Sequence, residues 1–405
     1  MEKGRKATAV FFSAIVVVLA MVALVLTRPP ADGAIASAES SPATADPTNA
    51  ASPTEETISA TASTARSKVT GWMPYWATGT SLDAVLANRS LFREVSPFWY
   101  QVVSTNGKAT IRPYALNGGA TRASVREALQ GANIKVIPSV VDDSPARFLA
   151  GKLRSLKSRT ALVRELVDLA VTERFDGLDL DLENFAFKDG KETWAKTRPA
   201  WVAFVKQLSQ ALKAQKKVLA VTTPPIYNRD YTPSSGYWVY DWESIAPYVY
   251  RLRIMTYDYS FDKAGPIGPL NWAAQVVDFA KTIVPAKKIE MGAPAYGRNW
   301  VTRISGTCPS NAVTTRTYVD MKKAEELAAL RGATPKWDAT AAEATFSYSL
   351  TYSDAQKSCT VFRTVWYPTP QSLSERSAFA ASRGIGGVAI WSLSEVSGEG
   401  WKALE

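Results

Sequence analysis

Histidine is missing altogether from the 405 residues. That absence excludes His-based catalytic triads, imidazole proton shuttles and His-ligated metal centres, and leaves proton transfer to carboxylates and phenols. No metal and no cofactor are expected. Cysteine is nearly absent, with two residues, Cys308 and Cys359. A recognition motif for nucleic acid is also lacking. Although the net charge is +10, the Lys and Arg are dispersed, and neither a basic helix nor a zinc finger can be traced. The excess charge suits anionic surroundings such as phospholipid heads or anionic wall polymers instead.

Long apolar runs are absent except for one. Ala7 to Thr27 carries no charge and as a helix would span roughly 31 Å, the thickness of a bilayer core. Lys3, Arg5 and Lys6 precede it and only Arg28 closely follows, so the N-terminus is expected on the cytoplasmic side and the body outside. A cleaved signal peptide is the competing reading, with Ala36-Ser37-Ala38 as its processing site, but the length of the run favours an uncleaved anchor. A transporter component would need a second such run. From Pro29 to Ser67 the chain is mostly Ala, Ser, Thr and Pro with a few acids, and only Ile35 and Ile58 are large and apolar. Such a stretch cannot bury enough surface to offset its ordering entropy and reads as a disordered tether with a reach of about 35 Å. The division expected is therefore an anchor over 1–28, a linker over 29–67 and a folded domain over 68–405, in a monomer.

Aromatic side chains are plentiful, at 13 Trp, 16 Tyr and 14 Phe. Some of that surplus suits sugar, whose C–H faces lie on flat rings. Strand-like runs recur at 69–76, 95–102, 134–141, 175–183, 218–225, 252–259, 288–296 and 386–393, and several are separated by amphipathic helical stretches such as 161–175 and 199–217. Eight strands alternating with helices predict an α/β fold, a parallel (β/α)8 TIM barrel. Residues 300–366 break the rhythm with a helix near 321–331 and a hairpin from 344–352 to 359–367. They predict a small α+β insertion between the seventh and eighth strands. It holds both cysteines, and in an exported chain Cys308 and Cys359 are expected to pair.

The segment FDGLDLDLE (175–183) places acids among leucines. By strand alternation Gly177, Asp179, Asp181 and Glu183 share one face and Asp176 and the leucines the other. In a barrel the leucines meet the helices and the acids turn inward, with Glu183 at the carboxyl end where such barrels hold their active sites. Crowded carboxylates oppose one another's ionisation, so one of them should keep a proton near neutrality, as a general acid requires. Asp176 has the wrong parity and reads as structural.

The DGLDLDLE run at 176–183 resembles the D-G-x-D-x-D-x-E signature of the family 18 glycoside hydrolases, the chitinase-like barrels. MTYD at 255–258, GAPAYGR at 292–298 and GGVAIWSL at 386–393 resemble the family's motifs on strands six, seven and eight. The likeness covers residues 68–405 and is nearest to the bacterial spore-germination type of N-acetylglucosaminidase. It implies a retaining hydrolase of β-1,4-linked, N-acetylglucosamine-containing glycans, peptidoglycan rather than chitin. In that scheme the substrate's own acetamido group attacks the anomeric carbon. Glu183 would be the acid and base, Asp181 would hold the acetamido group, and Asp179 would exchange a hydrogen bond with Asp181. Tyr257 would bind the acetamido oxygen, with Trp391 as the floor of the sugar site. Asp258, Tyr296, Arg298 and Trp76 are further candidates for the cleft. Three of these have a plainer alternative: a cap for Asp258, an ion pair for Arg298, packing for Trp76. A lectin-like protein on the same barrel remains the alternative function, disfavoured because Glu183 is present beside Asp181 and Tyr257.

Overall fold

The computed structural model describes residues 69–117, 119–310 and 313–405. The proposed anchor at 7–27 and the linker lie outside these. Among the described residues no helix is long and apolar enough to cross a membrane.

Fifteen strands form two sheets. In chain order they are β1 (Val69–Pro74), β2 (Glu94–Thr105), β3 (Lys108–Pro113), β4 (Lys135–Val136), β5 (Ser139–Asp142), β6 (Gly177–Asp181), β7 (Val218–Thr223), β8 (Arg251–Ile254), β9 (Ile289–Pro294), β10 (Tyr296–Gly306), β11 (Arg316–Asp320), β12 (Lys336–Asp338), β13 (Glu343–Ser353), β14 (Ser358–Tyr367) and β15 (Gly387–Trp391). Eight of them pair in parallel in the order β1-β15-β9-β8-β7-β6-β5-β2, and β1 pairs with β2 to close the ring. This is the expected barrel, and each predicted strand run overlaps one of its strands.

The outer faces of these strands are apolar and meet a ring of helices. Leu178 and Leu180 of β6, Leu252 and Ile254 of β8, and Ile289 and Met291 of β9 are all buried in one continuous core with Leu162, Leu166, Phe204 and Leu208. Those last four come from the helices Leu156–Thr172 and Trp194–Ala214, whose apolar positions recur at three- and four-residue spacing.

Two runs differ from expectation. The second strand extends to Thr105 and folds back as β3 through Asn106 and Gly107, both at positive φ (49° and 70°). The third breaks into β4 and β5 on either side of Pro138, whose nitrogen cannot donate to a ladder.

Between β9 and β15 the chain builds a separate antiparallel sheet, in the order β11-β10-β14-β13-β12, with the helix Met321–Leu330 against it. It starts at Tyr296 rather than near residue 300, so Tyr296 and Arg298 belong to its first strand. A disulfide joins Cys308 to Cys359, with the two Cα atoms 4.7 Å apart.

Candidate active site

The inner face of the barrel is polar where a layered apolar core is usual. Asp179 is fully buried at its centre, where it accepts from three donors and pairs with one guanidinium, each contributed by a different strand. Trp72 Nε1 (3.1 Å), Ser139 Oγ (2.7 Å) and Arg253 Nη1 (3.2 Å) reach Oδ2, and Thr222 Oγ1 (2.9 Å) reaches Oδ1. Its acceptor sites are thus taken up by groups other than Asp181. The expected bond between Asp179 and Asp181 is therefore replaced, because the side-chain bond of Asp181 goes to Glu183.

Asp181 closes β6 and is buried, and its Oδ1 has no hydrogen-bond partner. Burial, then the charges of Glu183 and Asp179, raise its pKa well above the ordinary carboxylate range. The strand ends there. Glu183 has left it with helical dihedrals (φ −84°, ψ −13°) as the N-cap of the one-turn helix Asn184–Phe187, so alternation alone does not carry it to Asp181. The turn is tied down instead. Tyr240 Oη donates to Leu182 O (2.8 Å), Asn184 Nδ2 donates to Ser144 O (2.9 Å), and Trp194 Nε1 donates to Phe185 O (2.6 Å). Burial, together with the nearby Asp258 charge, pushes the Glu183 carboxyl up to about 7, while its bond to Asp181 and the Lys188 charge act the other way.

Tyr257 follows β8. Its phenol pKa is raised by burial and by Asp181, Tyr296, Glu183 and Asp258, which places it within the field of both acids. Gly292 of β9 makes room for it, since a Cβ there would stand 2.6 Å from Ile254 O and 2.9 Å from Tyr257 Cε1. Trp391 ends β15 half-buried in the cluster that includes Tyr257 and Tyr296. It also meets Phe98, Trp72 and Trp76 at ring separations of 5.3, 6.0 and 6.3 Å. Trp76 lies beyond the end of β1, in the turn Tyr75–Ala77, and is 37% exposed.

Asp258 sits at φ 59° with its side chain 40% exposed. Tyr296 donates to its Oδ1, and Arg298 Nη2 lies 2.6 Å from the same oxygen. Tyr296 and Arg298 are each only 3% exposed. They hold Asp258 from beneath and do not present their own groups to the cleft, so of these three Asp258 is the one a ligand can reach. Asp176 is outside the barrel as its parity required, accepting from Val136 N and Gln130 Nε2, both at 2.9 Å.

Trp72, Ser139, Thr222, Arg253 and Glu290 were not singled out from the sequence. All five have the inward parity of their strands, and that parity was the available signal. Glu395 is a further group of this region. It binds Ser392 N (3.2 Å) and Tyr318, and burial lifts its pKa to about 6 against those bonds. Among the described residues no cluster of acids and cysteines could hold a metal ion.

The model for Glycosyl hydrolases family 18 matches residues 95–395. The chain belongs to that family.

Among family 18 relatives, the uncharacterized glycosylase YvbX of Bacillus subtilis (strain 168) is 27% identical over 62% of this chain and 67% of its own length. The putative sporulation-specific glycosylase YdhD of the same organism is 24% identical over 60% of this chain and 52% of its own. The chain thus spans about half to two thirds of these relatives. The crystal structure of the Bacillus megaterium QM B1551 spore cortex-lytic enzyme SleL superposes with a TM-score of 0.66 at 17% identity, covering 84% of this chain and 73% of SleL, a likeness of fold.

Proposed function

We propose that this chain is a retaining glycoside hydrolase that cuts β-1,4 bonds in N-acetylglucosamine-containing glycans by substrate assistance. The observation that carries the proposal is the hydrogen-bonded Asp181–Glu183 pair, with Glu183 near a pKa of 7, at the mouth of a family 18 barrel. A carboxyl poised there still holds its proton at working pH and can release it to a leaving oxygen. The acetamido carbonyl oxygen bonds to the anomeric carbon as the glycosidic C–O bond breaks, and the Glu183 proton goes to the departing oxygen. Water then opens the oxazolinium, giving its proton back to Glu183, and the configuration is retained. Asp181, whose Oδ1 has no protein partner, receives the acetamido N–H. Tyr257 donates to the acetamido oxygen, and the sugar ring lies on Trp391.

Peptidoglycan is the substrate we favour over chitin. Relatives named for sporulation and spore-cortex lysis support that choice, as does a tether that limits reach to the cell's own wall. Anchorage through 7–27, with the barrel outside the membrane, belongs to the same proposal and rests on the sequence. The test is a digest of purified peptidoglycan and of chitin oligomers with product masses read out, alongside Glu183→Gln. Products bearing reducing N-acetylglucosamine ends from the wild type alone are expected. Equal release by both proteins refutes the role of Glu183, and no release above background by either refutes the proposal and leaves the lectin-like alternative standing.

A further inference from the structure

Arg253 lies fully buried on the inner face of β8, and each of its nitrogens is engaged. Nη1 faces Asp179 Oδ2 at 3.2 Å and also donates to Ser96 Oγ, Nε lies 2.9 Å from Glu290 Oε2, and Nη2 lies 3.2 Å from Glu94 Oε1. Glu290 is also met by Arg93 (2.8 Å) and Arg251 (3.2 Å), and it accepts from Thr70 Oγ1 (3.0 Å). Glu94 accepts from Tyr250 Oη (2.8 Å). Three arginines thus face three acids, and the network ends at Asp179, directly beneath Asp181. The pair is also faced by Asp258, Lys188, Tyr257, Tyr237 and Tyr114, and by Tyr240, which is buried against Phe185 and Trp201.

The oxygens of an Asp179 held this way are taken up by Trp72, Ser139 and Thr222 and face the Arg253 guanidinium. Asp181 and Glu183 share a hydrogen bond with each other.

We propose that Arg253 is a positioning residue for the reaction: by pairing with Asp179 from below it occupies that carboxylate and sets the charge beneath Asp181 and Glu183, and it is itself held by Glu290. This rests on the reading of Asp181 and Glu183 as the catalytic pair. Glu290 is the place to perturb the network. Burial works against its charge, but Arg253, Arg93 and Arg251 outweigh that and bring its pKa below the ordinary value, so it is charged throughout an assay range.

The test is kcat against pH for the wild type, Glu290→Gln, Arg253→Gln, Arg253→Lys and Glu183→Gln, with urea melts of each. Glu290→Gln removes a negative neighbour, so carboxyls above it ionise more readily and both limbs of the profile move to lower pH by about one unit. Arg253→Gln removes a positive neighbour and moves both limbs to higher pH by a similar amount, while Arg253→Lys keeps them in place. Should Arg253→Gln fail to fold, the acid shift of Glu290→Gln carries the test alone. Altered melts with unmoved limbs, or shifts of the same sign in both variants, overturn the role of Arg253 and leave the catalytic pair standing. An active Glu183→Gln overturns the pair itself, and the role of Arg253 with it.

Discussion

Glu183→Gln should stabilise the fold, and the gain should grow with pH. Burial and the Asp258 charge hold the folded-state pKa of Glu183 at about 7 against a reference value of 4.5. A raised carboxyl pKa means that the folded state binds the proton more tightly than the unfolded chain. Its favourable contribution is complete below about pH 4.5 and is lost as the pH rises through 7. Linkage then puts the cost of native Glu183 at about 0.8 kcal/mol at pH 5 and about 3 kcal/mol at pH 8. Glutamine does not titrate, so the advantage of the variant should widen by about 2.5 kcal/mol between those two pH values. Because Glu183 and Asp181 share a hydrogen bond, the midpoint observed belongs to the pair. The assay is urea unfolding of both proteins at pH 5 and pH 8, with the Glu183→Gln minus wild-type difference as the readout. A difference that stays constant with pH, or narrows toward pH 8, refutes the claim that the site keeps an otherwise ionised acid neutral.

Three further outcomes follow from the same geometry. The wild-type kcat should fall tenfold per pH unit on its basic side, with a midpoint near 7, as Glu183 loses its proton; a plateau reaching pH 9 in a stopped assay of chitin-oligomer cleavage contradicts this. Gly292→Ala puts a Cβ 2.9 Å from Tyr257 Cε1 and 2.6 Å from a backbone oxygen, so the phenol must move. The loss expected is about 100-fold in kcat, measured beside the circular dichroism spectrum to confirm folding. Replacing Cys308 and Cys359 by serine opens a loop of sequence separation 51, worth up to about 4 kcal/mol. Hydrogen exchange should then quicken in β10, β13 and β14 and leave β6 unchanged.

The barrel was legible because each of its strands carries an apolar outer face and is set off by turn residues, a local property that survives without any tertiary information. The insertion was legible because it breaks that rhythm. The β2–β3 hairpin was equally legible and passed over: Asn106-Gly107 is the pair that a tight two-residue turn demands, and both residues adopt the positive φ it requires. Glu183 was reached by a rule that stops two residues too soon. Alternation carries the inward face to Asp181, and what brings Glu183 beside it is a turn fastened by Tyr240, by Asn184 reaching back to Ser144, and by Trp194, the first two of these bonds spanning 58 and 40 positions. Periodicity within one segment cannot report those anchors.

Charge was harder to read than position. The line of acids in 176–183 announces crowded carboxylates, but which of them holds a proton depends on donors from β1, β5, β7 and β8. Asp179 meets Trp72, Ser139, Thr222 and Arg253, partners up to 107 positions away. Asp181, two residues on, meets only Glu183 and leaves one oxygen bare. Two chemically identical side chains on the same face of one strand therefore do different work, because one is surrounded by donors and the other faces the cleft. The parity of Arg253 and Glu290 shows that both point inward, and inward charges in a closed barrel must pair with something. That necessity, applied strand by strand, would have found the network beneath Asp179 before any coordinates existed.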